Sequence, residues 1–102
     1  MLSLLFITYE GEFMKDILLR IFECAELINR KILFNTYLPE SKIMEFCDFD
    51  SVDMLEFLME LEVEFSIEIQ DEEFIKCKTF EDLVKLIENK LSLKEKEEDD
   101  VQ

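Results

Sequence analysis

The chain has 102 residues, room for one small domain that buries roughly 60 to 70% of the surface its unfolded form exposes. It is 49% apolar and 36% charged, with 26 acids against 11 basic residues and a formal net charge of −15. Such a balance excludes nucleic acid and anionic membrane surfaces as partners and suits basic protein surfaces. The absence of histidine removes the commonest general base and metal ligand.

Met1 to Ile7 is apolar but far short of the ~20 residues that span a bilayer, and it lacks a basic flank and a cleavage site. No stable membrane insertion is expected. Residues 1–13 read as an N-terminal extension, or as the product of a start codon set upstream of Met14. Ile17, Ile21, Ala25, Ile28 and Ile32 recur at steps of three and four, which predicts a first helix from about Glu12 to about Leu33. A long loop follows from Asn35 to Phe49, broken at Pro39 and anchored by Ile43, Phe46 and Phe49.

A second helix is expected from Asp50 or Ser51 to about Phe65. Asp50 suits the N-cap, and Asp53 three residues on completes a capping box. Advancing ~100° per residue divides this helix into sectors. Met54, Leu58, Leu61 and Phe65, flanked by Leu55, make the core face. Asp53, Glu56, Glu60 and Glu64 form an acidic stripe. Val52, Met59 and Val63 form a narrow strip between Leu55 and the acids, which either wraps into the core or presents apolar groups to a partner. Between Asp50 and Glu73 stand ten acids and no lysine or arginine. Like charges at this spacing repel by a few tenths of a kcal/mol per pair, so the stripe reads as a surface for a basic partner.

Ser66 to Gln70 form a connection with Ile67 and Ile69 turned inward. Asp71 to Ile75 suit one or two helical turns. Thr79 to Asp82 start a last helix with Phe80, Leu83, Val84, Ile87 and Leu91 on one side. Residues 92–102 are mixed in charge, bury almost nothing and are expected to be a disordered tail. Cys24, Cys47 and Cys77 stand too far apart for a C-x-x-C pair. They read as reduced, buried thiols in a cytoplasmic protein.

Ser51 is the residue most suited to carry chemistry. With no histidine in the chain and no lysine from 43 to 75, it cannot be activated from within. Any reaction at its hydroxyl is run by another protein that supplies the base and the metal. The stretch Asp48-x-Asp50-x-Val52-Asp53 is not a calcium loop, because Val52, Asp53 and Met59 occupy the positions that need an oxygen ligand, a glycine and a glutamate.

Asp50-Ser51-Val52-Asp53, followed by Leu55-Glu56, Met59, Leu61-Glu62, Glu64-Phe65, Glu68-Ile69 and Asp71-Glu72-Glu73, resembles the acyl carrier protein family over roughly residues 14–91. The resemblance implies an all-α fold, a four-helix bundle of three longer helices and one short one, with a long loop between helices one and two. It implies a covalent 4′-phosphopantetheine arm on Ser51, placed there from coenzyme A by a phosphopantetheinyl transferase. It implies a monomeric carrier of acyl groups as thioesters, not an enzyme, serving fatty-acid or related polyketide or specialised lipid biosynthesis. Acyl-transferring or condensing enzymes with basic docking patches are the further partners implied. By the same resemblance Asp50, Val52, Asp53, Glu56, Met59 and Glu62 match partner-contacting positions; Glu60, Val63 and Glu64 join them from the helical projection. Cys47, Asp48, Val63 and Gln70 depart from the family pattern and suggest a specialised member. The alternative is an acidic helical adaptor that keeps the fold and is never modified.

Overall fold

The computed structural model describes the backbone of residues 2–38 and 40–101, and the side chains of 15–38 and 40–94. The described residues are all-helical, with five α-helices: α1 (Leu2–Ile28), α2 (Ile43–Cys47), α3 (Ser51–Phe65), α4 (Asp71–Lys76) and α5 (Phe80–Val101), plus a 3₁₀ turn at Phe34–Thr36. Among the described residues no strand occurs; Lys42 and Thr79 make an isolated antiparallel bridge. Both α3 and α5 pack on α1. No described helix is long and apolar enough to cross a membrane.

The three long helices are the expected ones, with shifted ends. α1 begins at Leu2, ahead of Glu12, and stops at Ile28, short of Leu33. Asn29 accounts for the early stop. Its amide donates to the Cys47 carbonyl at 2.8 Å and its Oδ1 accepts from the Lys31 N–H at 3.1 Å, a local bond that competes with helical pairing. α5 continues to Val101, beyond the expected end near Leu91. The backbones of residues 2–13 and 92–101, the expected extension and tail, continue α1 and α5; Pro39 and the side chains of residues 1–14 and 95–102 lie outside the described residues.

The expected long loop holds an additional helix. α2 has only five residues, too short to declare itself by periodicity. Its end is set by Asp48, which adopts the left-handed conformation at φ 55° and returns its N–H to the Met44 carbonyl. Ile43 and Phe49 are buried and Phe46 is half-buried, so the segment is anchored as expected.

The core joins Ile17, Ile21 and Ala25 of α1, Phe57, Leu58, Leu61 and Phe65 of α3, and Phe80, Leu83 and Ile87 of α5. Phe57 is fully buried while Leu55 is 58% exposed, the reverse of the expected flank. Around the helix Phe57 lies about 40° from Leu61 and Leu55 about 120° away, so the buried arc is centred on the Phe57 side. An aromatic layer of Phe22, Tyr37, Phe46 and Phe80, with edge-on contacts at 5.1–5.7 Å between Phe22 and Tyr37, Phe22 and Phe80, Tyr37 and Phe80, and Phe46 and Phe80, ties the α1–α2 segment to the bundle. The three cysteines are free and buried. Burial pushes the Cys24 and Cys47 thiols up to about 12, which leaves them unreactive at neutral pH.

Candidate functional site

α3 opens as its sequence dictates. Asp50 is extended at φ −92° and accepts from the Asp53 N–H at 2.8 Å, while the Asp53 carboxylate accepts from the Asp50 N–H at 3.2 Å. This reciprocal box satisfies backbone donors that the helix start leaves free. It also places Ser51 on the first helical residue, exposed to solvent. Among the described residues the Ser51 hydroxyl forms no hydrogen bond that would tie it down.

Ser51 lies on the lining of a cleft of about 520 Å³ between α2, α3 and α4. Met44, Met54, Leu55, Phe74 and Ile75 make most of the wall, and Lys42, Glu45 and Lys78 add charge. The volume falls in the range usual for small-molecule sites, about 300–1,000 Å³. Leu55 is exposed because it faces this cleft and not the core. Nothing in the periodicity of α3 points to the cleft, since α2 and α4 build its other walls.

The outward face of α3 is split between apolar and acidic groups. Val52, Met59 and Val63 are 62, 65 and 77% exposed, so the strip does not wrap into the core. Beside it stand Glu56 and Glu60, exposed and half-buried. Glu64 differs from its stripe-mates. It accepts from Arg20 Nε at 2.7 Å, and Arg20 also donates to the Glu64 carbonyl at 2.9 Å while its guanidinium lies 4.3 Å from the centre of the Phe65 ring. Glu64 thereby clamps α3 to α1. Glu62 accepts from the Ile69 N–H at 3.1 Å and holds the α3–α4 connection. Asp50 and Asp53 are engaged in the cap. The free acids of the stripe are Glu56 and Glu60.

Further along, Glu73 accepts from Lys90 at 2.8 Å and from the Gln70 N–H at 3.1 Å. The hydrogen bond from Lys90, then that from Gln70, holds its carboxyl below the ordinary range. Asp82 accepts from the Thr79 and Lys78 N–H groups, which lowers its pKa and fixes the start of α5.

The domain thus offers an exposed serine at a helix start, next to an apolar cleft and an acid-flanked apolar strip. Comparison with known proteins gives the family. The family described as "Phosphopantetheine attachment site" matches residues 39–87. The acyl carrier protein of Helicobacter hepaticus is 50% identical over 54 residues, 53% of this chain and 71% of the relative. That of Thermosynechococcus vestitus is 44% identical over 54 residues, 53% of this chain and 67% of the relative. That of Rickettsia typhi is 38% identical over 69 residues, 67% of this chain and 77% of the relative. The chain belongs to the acyl carrier protein family, and with that membership comes a covalent 4′-phosphopantetheine prosthetic group. An exposed serine hydroxyl at a helix start fits attachment of that group, and the apolar cleft beside it suits an acyl chain that the group would carry.

Proposed function

We propose that Ser51 is the attachment residue and that the protein carries acyl groups between enzymes of fatty-acid or related polyketide or specialised lipid biosynthesis. The observation that supports this best is the exposed Ser51 hydroxyl on the lining of the apolar cleft. When bound, the arm supplies a terminal thiol on which an acyl group is held as a thioester. The chain's own residues present and dock. The Asp50–Asp53 box fixes the helix start that carries the exposed Ser51. Glu56 and Glu60 attract the basic surface of a phosphopantetheinyl transferase or of an acyl-transferring or condensing enzyme, and Val52, Met59 and Val63 give that surface apolar area to cover. Asp50, Asp53, Glu62 and Glu64 shape the same face through their structural bonds. Met54, Leu55 and Ile75 offer an apolar chain shelter from water.

With no histidine in the sequence, the base and metal for arm transfer come from the transferase, and the protein is a carrier. We place it in the cytoplasm as a monomer, on its buried free thiols and its strong self-repulsion.

Intact-mass analysis after incubation with coenzyme A and a broad-specificity transferase tests the assignment. Wild type gains the mass of one arm and Ser51→Ala gains none. A folded wild-type protein that gains nothing from an active transferase is instead an unmodified adaptor. An arm found on Ser41 or Ser66 overturns the residue assignment.

A further inference from the structure

Lys42 and Lys78 both lie on the lining of the cleft that also takes in Ser51. Their backbones are joined: the Ile43 N–H donates to the Lys78 carbonyl at 2.9 Å, the Phe80 N–H donates to the Ser41 carbonyl at 3.4 Å, and Lys42 bridges Thr79. Both side chains are exposed. Glu45 is the one acid on the same lining, yet among the described residues neither lysine reaches a carboxylate. Among the described residues Arg20, Lys85 and Lys90 pair with acids, while Lys15, Arg30, Lys31 and Lys76, like Lys42 and Lys78, do not. In a chain with 26 acids and 11 basic residues, two exposed lysines against one acid give the lining of this apolar cleft a local excess of positive charge.

We propose that Lys42 and Lys78 bind a carboxylate at the free end of an apolar cargo chain, and so favour cargo that is acidic at both ends once released. The inference rests on the carrier reading of Ser51. A carboxylate that enters an apolar cleft loses hydration at a cost that only pairing offsets. A methyl-ended chain buries its length equally well but gains nothing from the lysines. The competing anion is the phosphodiester formed on Ser51 itself. That group would sit at an exposed hydroxyl next to Asp50 in sequence, and a phosphodiester has no use for apolar walls. The ammonium groups are solvated, so two such pairs should favour the acidic chain by about three- to tenfold.

The protein, loaded from the coenzyme A thioesters of octanoate and of suberate, provides the test. Intact mass first verifies the load on Ser51. The rate at which hydroxylamine cleaves each thioester is then compared between wild type and the Lys42→Gln/Lys78→Gln variant, with lysine side-chain NMR cross-peaks followed alongside. Suberoyl cleavage should accelerate about three- to tenfold in the variant, octanoyl cleavage should not change, and Lys42→Arg/Lys78→Arg should restore protection. The lysine cross-peaks should move on suberoyl loading and not on attachment of the bare arm. A suberoyl rate indifferent to the lysines in a folded, loaded protein overturns this inference alone. Cross-peaks that already move with the bare arm assign the lysines to the phosphodiester and overturn it too. A protein that takes no arm on Ser51 removes the carrier reading and this inference together.

Discussion

Asp48 carries a conformational burden that its neighbours do not. At φ 55° it closes α2 in the left-handed region, where a Cβ costs about 1 kcal/mol and glycine is at home. Asp48 is one of the departures from the family pattern, and the geometry favours glycine at its position. Asp48→Gly should therefore raise stability by up to about 1 kcal/mol, or roughly 4–8 °C in Tm for a domain of this size. Asp48→Asn separates the causes, because it removes the charge while tolerating the same φ. A thermal melt in which Asn gains as much as Gly would assign the effect to charge and not to backbone. Residue-scale features of this kind were legible where they are local. The Asp50–Asp53 box spans one helical turn, so its sequence announces it. The Arg20–Glu64 clamp joins residues 44 apart, and nothing in the pattern around Glu64 distinguishes it from Glu60.

At the scale of elements, α3 was readable almost to its ends because amphipathic order over 15 residues leaves few alternatives. α2 was not, since five residues complete too few turns to show a period. The misplacement of Leu55 and Phe57 has one origin. A helical wheel gives angles but not the direction in which neighbouring elements lie, and Phe49 and Phe74 pack on the Phe57 side. That same asymmetry predicts different roles for two acids of one stripe. Glu56→Lys should slow arm transfer about three- to tenfold at low ionic strength and flatten its salt dependence, with Tm nearly unchanged. Glu64→Gln should leave the transfer rate alone and lower stability by about 0.5–1 kcal/mol, since a half-exposed ion pair to Arg20 is lost. Stopped-flow or timed mass measurement of arm transfer, paired with thermal melts, checks both. If Glu64→Gln slows transfer as much as Glu56→Lys does, the clamp does not withdraw Glu64 from docking.

For the molecule as a whole, the question is whether its charges help or oppose folding. Four ion pairs hold among the described residues, and added salt weakens them. Against these stands a formal net charge of −15, concentrated where ten acids between Asp50 and Glu73 meet no basic residue in sequence. Among the described residues, Glu64 and Glu73 are the ones of those ten acids that take a cationic partner. Repulsion among the remainder acts across the face of α3 and into α4, over distances that are unscreened at low salt, where the Debye length is about 30 Å at 0.01 M, and largely screened at 0.1 M, where it is about 10 Å. The exposed pairs are worth at most about 1 kcal/mol each and less as they are solvated. Relief of repulsion should therefore win, and Tm should rise between those two salt concentrations. A net gain of about 1 kcal/mol corresponds to about 4–8 °C. Neutralising two unpaired acids, as in Glu60→Gln/Glu72→Gln, should raise Tm at low salt and shrink the further rise, because the same repulsion cannot be relieved twice. A melting temperature that falls with salt in wild type would mean that the few ion pairs outweigh the acidic face, and that the face is already compensated by the fold.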